Sequence, residues 1–111
     1  MASRGEVWWG PAPQKSGPAY RPWLVVNDDS HPFATEECVA VGMTTTDHPE
    51  GISVPNDAWI RGGSKTQAYI SPWYVTTIKH RDFDDQQGEL AEALVTDAVE
   101  ALHNYIPRTS V

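Results

Sequence analysis

The residues best placed to do chemistry are few. Arg21 heads the run Arg21-Pro22-Trp23-Leu24-Val25-Val26 and follows a segment dense in proline and glycine, Gly10 to Pro18. A guanidinium at the start of a strand beside a loop offers a planar fork of N–H donors suited to bidentate capture of a phosphate. Its pKa lies above about 12, so it stabilises charge and is a poor base. Thr44, Thr45 and Thr46 offer three hydroxyls at the end of a second apolar run, a pattern that also suits a strand end and turn. His31, His48, His80 and His103 are the only side chains that titrate near neutrality without help. His80 sits within Lys79-His80-Arg81, whereas His31 and His48 lie in proline-containing loops and His103 in an acidic segment. No histidine or carboxylate pair has metal-site spacing, so no metal and no cofactor are expected.

These groups must be held by short elements. Residues 5–9 (GEVWW) read as a strand, followed by the Pro/Gly loop. Residues 21–27 read as a buried strand with Pro22 at its start, where a missing N–H is tolerated. Residues 37–44 (ECVAVGMT) alternate, with Val39, Val41 and Met43 on one face and the small Cys38, Ala40 and Gly42 on the other, ahead of Thr44. Small residues there allow close approach of a backbone or a ligand. Residues 52–54 form a brief strand, Arg61-Gly62-Gly63-Ser64 a turn, and 66–71 and 73–78 two strands meeting at Pro72. Leu90, Leu94, Ala98 and Leu102 recur every four residues, which predicts an amphipathic helix from about 87 to 104, with Pro107 beyond its end. The expected architecture is mainly β: about six short strands within 5–78, curled into a small barrel and covered in part by the helix.

The chain has 111 residues, 40% of them apolar and 21% charged, which fits one globular domain spanning 1–111. The single cysteine excludes an internal disulfide framework and a cysteine-based metal cluster. The longest apolar run, Trp23 to Val26, is far too short for a membrane helix, and no signal peptide is visible, so a cytoplasmic protein is expected. The net charge of −7 argues against broad nucleic-acid affinity. It is unevenly spread: from Asp84 onward there are six acids (Asp84, Asp85, Glu89, Glu92, Asp97, Glu100) and one base (Arg108), leaving room for a basic patch elsewhere. The excess of acids over three lysines fits a salt-rich cytoplasm and fits an ordinary acidic protein equally.

Four segments taken in order carry a resemblance. Arg4-Gly5-Glu6-Val7-Trp8-Trp9, the Pro/Gly loop, Arg21-Pro22-Trp23-Leu24-Val25-Val26-Asn27 and Val41-Gly42-Met43-Thr44 resemble the MazF/PemK family, whose RGE/D-V strand, loop, RP-plus-apolar strand and Thr-terminated strand follow the same sequence. Thr76-Thr77-Ile78-Lys79 occupies the place of that family's R-T-I-D segment, so its arginine and acid fall on Thr76 and Lys79 here.

The resemblance implies an SH3-like barrel that forms a homodimer. It also implies a toxin that cleaves single-stranded RNA without a metal and is blocked by a cognate antitoxin. By that match Arg21 is the catalytic arginine and Thr44 contacts the transition state. With the R-T-I-D charges replaced, His80 is the candidate for proton transfer. Lys15, Thr45, Arg61, Lys65, Lys79 and Arg81 are candidates for RNA binding, with Trp8, Trp9, Trp23, Trp59, Trp73 and Tyr74 as stacking surfaces. Alternation sends one ring of the Trp8-Trp9 pair inward and one outward. Two competing readings remain: a catalytically silent SH3-like module that engages a protein, and a CcdB-like poison that binds a topoisomerase. Fold alone does not separate them.

Overall fold

Strands form where β-branched and aromatic residues are dense, and glycine, proline and aspartate interrupt them. The computed structural model describes residues 1–13 and 19–108. Its elements are β1 (Glu6–Pro11), β2 (Tyr20–Val25), β3 (Glu37–Thr44), β4 (Ile52–Val54), β5 (Trp59–Gly62), β6 (Ala68–Lys79), β7 (Gln86–Leu90) and α1 (Glu92–Tyr105). The strands make one antiparallel sheet in the order β4-β6-β3-β2-β1-β7-β5. Its two edge strands, β4 and β5, are separated in the chain only by residues 55–58, which include a 3₁₀ turn at Asn56–Ala58. Five Cα steps of about 3.8 Å limit the distance between their facing ends to roughly 19 Å. The sheet must therefore curl, and the result is the mainly β, SH3-like architecture with a C-terminal helix expected from the sequence.

The details correct the sequence reading in three places. Among the described residues there are seven strands rather than about six, and the seventh lies beyond residue 78. It occupies the first turn assigned to the helix, which begins at Glu92 and not near 87. Leu90 satisfies both the helical and the strand period, and its β-partner Trp59 settles the choice. The alternation of β7 is concealed because its other inward position is Gly88. A side chain there would meet the Arg61 carbonyl at 2.5 Å and the Trp59 ring at 2.9 Å, so the close approach of β5 requires glycine. Arg61 and Gly62, read as a turn, belong to β5.

The third correction concerns Pro72, which does not separate two strands. β6 runs through it as a bulge: Gly42 pairs with Ser71 and Val41 with Val75, leaving Pro72, Trp73 and Tyr74 without partners on β3. A residue with no N–H to donate is accommodated at such a bulge, and the strand bends there.

Both faces of the sheet are buried, because β3 alternates between two cores. Val41 and Met43 join Val7, Leu24, Ile70 and Leu90 on the face covered by α1, which contributes Val95 and Ala98. Cys38 and Ala40 join Trp23, Val25, Ile78 and Phe83 on the other face. Burial pushes the Cys38 thiol up to about 12, with the neighbouring Glu37 charge adding to the effect, so it is an inert core group. Arg4 anchors the helix start: its Nε donates to Glu92 at 2.8 Å and its Nη1 donates to the Val26 carbonyl.

Candidate functional site

The β1–β2–β3 register builds a cleft at one end of the sheet. Trp23 pairs with Gly42, and continuing that register by two residues sets Arg21 opposite Thr44. On the other side of β2, Trp9 pairs with Pro22 and Pro11 with Tyr20, so Trp9 and Tyr20 share a face. The neck of the β1–β2 loop is closed by the Ala12 N–H donating to the Ala19 carbonyl at 2.8 Å, and the Trp23 indole donates to the Pro11 carbonyl at 3.1 Å. The segment after β5, Gly63 to Thr66, supplies the facing wall. Together these enclose a cleft of about 490 Å³ lined by Trp9, Tyr20, Arg21, Thr44, Thr45, Lys65 and Gln87, among others.

The polar groups of this cleft are cations, hydroxyls and amides. Among the described lining residues there is no carboxylate and no imidazole. That donor set suits an anion. The Arg21 guanidinium carbon lies 4.3 Å from the centroid of the Tyr74 ring and 5.9 Å from that of Trp23. Its Nε–H is buried with no hydrogen-bond partner among the described residues. The Thr44 Oγ1 accepts the Thr46 N–H at 3.1 Å, which leaves the hydroxyl proton available to donate elsewhere. Lys65 and Thr45 are exposed at the rim. Gln87 donates from Nε2 to the Gly63 carbonyl at 3.2 Å, while its Oε1 is buried and unpartnered among the described residues. Trp9 (39% exposed) and Tyr20 (50% exposed) also line the cleft. The Trp8-Trp9 pair does divide: Trp8 packs against the second core and Trp9 faces out.

Of the residues singled out from the sequence, Arg21, Thr44, Thr45 and Lys65 come together here. The others do not. Arg61 lines a separate shallow depression and is held by Glu89, its Nη2 donating at 2.6 Å, with Glu6 at 3.6 Å. Lys79, His80 and Arg81 line another depression of about 390 Å³ with Thr35 and Glu36. Lys79 pairs with Glu37 at 3.2 Å. His80 uses both ring nitrogens: Nδ1 accepts the Ala2 N–H at 3.2 Å, and Nε2 donates to the Ala34 carbonyl at 2.7 Å. It pins the N-terminal segment and the turn before β3 to the end of β6. Lys15 lies outside the described residues. Tyr20, Gln87 and the seat of Arg21 on Tyr74 were not found from the sequence. Only the Gly88 close approach, visible after folding, shows that Gln87 lies on a strand facing the cleft.

Among the described residues no group of three or more histidine, cysteine or acidic side chains converges, and no helix is long and apolar enough to cross a membrane.

A curled antiparallel sheet closed by a C-terminal helix, with an anion-suited cleft beside the β1–β2 loop, defines a small β-fold class. Comparison with known families makes the class specific. A family model described as the PemK-like, MazF-like toxin of type II toxin–antitoxin systems matches residues 3–106, and the chain belongs to that family. Similar solved structures share the fold. An endoribonuclease in complex with its cognate antitoxin, from a mycobacterial species, superposes with a TM-score of 0.68 at 23% identity, over 98% of this chain and 100% of the other. A MazE–MazF crystal structure from Deinococcus radiodurans gives 0.75 at 14% identity, over 97% and 98%. The Mycobacterium tuberculosis toxin MazF-mt6 gives 0.68 at 19% identity, over 91% and 95%. A search of curated protein sequences finds no match.

Proposed function

We propose that the cleft between Arg21, Thr44 and Lys65 binds single-stranded RNA and that the protein is a metal-independent endoribonuclease toxin. The observation that carries this reading is the convergence of Arg21 and Thr44 on one cleft flanked by two exposed aromatic rings. Bases stack on Trp9 and Tyr20, and Lys65 at the rim attracts the backbone. The 2′-OH of one nucleotide attacks the adjacent phosphorus, and the bond to the 5′-oxygen breaks. The products are a 2′,3′-cyclic phosphate and a 5′-hydroxyl.

Charge on the phosphorane is met by the Arg21 guanidinium and by the hydroxyl of Thr44. A phosphate oxygen drawn to Arg21 is met by its two terminal nitrogens, which are not sealed from the surface as its Nε–H is. Such preorganised donors are worth more in the transition state than in the ground state, because charge builds up there. No described side chain in the cleft is a carboxylate or imidazole. The 2′-OH proton therefore leaves to solvent hydroxide or water, and water protonates the departing 5′-oxygen.

The proposal includes a cognate antitoxin that blocks the cleft, a homodimeric toxin and a cytoplasmic site of action. Likeness to a MazE–MazF complex and to an endoribonuclease bound to its antitoxin supports the partner. The protein incubated with a long, weakly structured RNA in a chelator should yield fragments with cyclic-phosphate ends. The lack of a carboxylate or imidazole among the described residues of the cleft favours a second reading, a catalytically silent module that binds without cleaving. Tight RNA binding with no cleavage by folded protein would decide for it, and a topoisomerase-directed poison would neither bind nor cleave RNA.

A further inference from the structure

We infer that Tyr74 and Gly42 are positioning residues for Arg21: together they form a seat that fixes its guanidinium on the Trp23 face of β2, beside the cleft that Arg21 lines. This deepens the reading above and rests on Arg21 being the charge-stabilising group. Three independent features converge on it. The first is the bulge in β6, which leaves Pro72, Trp73 and Tyr74 unpaired and turns Tyr74 toward β2. The second is the ring itself. The guanidinium carbon lies 4.3 Å from the Tyr74 centroid, within cation–π range, and Trp23 meets Tyr74 edge-on at 5.8 Å to make a corner. The third is the missing side chain at Gly42, the residue of β3 next to the bulge. A Cβ there would stand 2.9 Å from Arg21 Nη1 and 3.4 Å from its Cδ. Gly42 has no positive φ to explain it. Its lack of a side chain is space that Arg21 occupies.

An arginine at a strand end ordinarily samples many rotamers, and each misaimed rotamer lowers the fraction of molecules ready to react. Here no carboxylate holds Arg21; among the described residues its ion pairs are absent and its Nε has no partner. An aromatic face fixes the group while leaving its terminal N–H groups for a phosphate, whereas a carboxylate partner would occupy them.

The test uses the full chain with Tyr74→Phe, Tyr74→Leu and Gly42→Ala. Gly42→Ala is informative because the atoms it displaces belong to a flexible side chain, so the sheet need not move. Two readouts are taken: steady-state kcat and KM for RNA cleavage in chelator, and the Arg21 Nε–H resonance, assigned by its loss in Arg21→Lys. The expected result is a kcat lowered about tenfold in Tyr74→Leu and in Gly42→Ala with KM changed less than about twofold, and Tyr74→Phe close to wild type. The ring-current shift of the Nε proton should persist in Tyr74→Phe, vanish in Tyr74→Leu and change in Gly42→Ala. Wild-type kcat together with an unmoved resonance in folded Tyr74→Leu would overturn the seat. If the wild type does not cleave RNA, the ribonuclease reading fails, and the resonance alone still decides whether Tyr74 and Gly42 position Arg21.

Discussion

The two ends of β3 carry similar cations in opposite states. At its N-terminal end, Lys79 is paired with Glu37 and both nitrogens of His80 serve the backbone. At its C-terminal end, Arg21 rests on an aromatic ring with an unpartnered donor, opposite a threonine whose proton is free to give. Residue type does not distinguish the ends, since both hold basic groups beside a depression of some hundreds of Å³. Partnership does. The paired Lys79 and His80 fasten chain segments together, whereas Arg21 keeps donors that a ligand can take, as does only the exposed Arg81 among the three basic residues at the other end.

The contrast can be broken by substitution. The largest effect is expected at the open end: Arg21→Ala should lower RNA cleavage by about 10²-fold or more, as removal of an oxyanion-type donor does, with the fold retained at the assay temperature. Thr44→Val keeps the shape and removes the hydroxyl, and should cost about tenfold in kcat, read in the same assay. At the paired end the loss should appear in stability. His80→Ala strands the Ala2 N–H and the Ala34 carbonyl and should cost about 1–2 kcal/mol in urea unfolding, with kcat retained below the transition. Breaking the half-exposed Lys79–Glu37 pair should cost less than about 1 kcal/mol by a double-mutant cycle, and less again in high salt.

The smallest effect is at the Asp28 turn. There the Ser30 hydroxyl and backbone N–H hold the carboxyl below its ordinary 3.8. A depressed carboxylate contributes stability above its unfolded value and loses it as pH falls through the folded one. Ser30→Ala should therefore melt slightly below wild type at neutral pH, and the difference should close in acid.

Sequence patterns revealed the central strands and the helix because burial there follows one clear period. β3 and β4 were read to the residue, and α1 erred only at its start. The errors fell where one residue satisfies two rules. Leu90 fits a helix or a strand, Gly88 conceals an inward position, and Pro72 marks a bulge as readily as a break. The candidate site was legible only as a motif: Arg21 and Thr44 were singled out, and both line one cleft in the structure. The fate of Lys79 and His80 was not legible, since their partners Glu37, Ala2 and Ala34 lie more than 40 positions away in the chain. Nor was the pairing of Tyr74 with Arg21, which depends on a bulge that composition does not reveal.

The most direct test of the central claim compares wild type, Arg21→Ala and His80→Ala side by side on one weakly structured RNA in chelator, at a temperature where all three are folded. The account predicts cyclic-phosphate products from wild type and His80→Ala at equal kcat, and almost none from Arg21→Ala. Cleavage that survives loss of Arg21 but disappears with His80 would place the chemistry at the other end of the strand and contradict it.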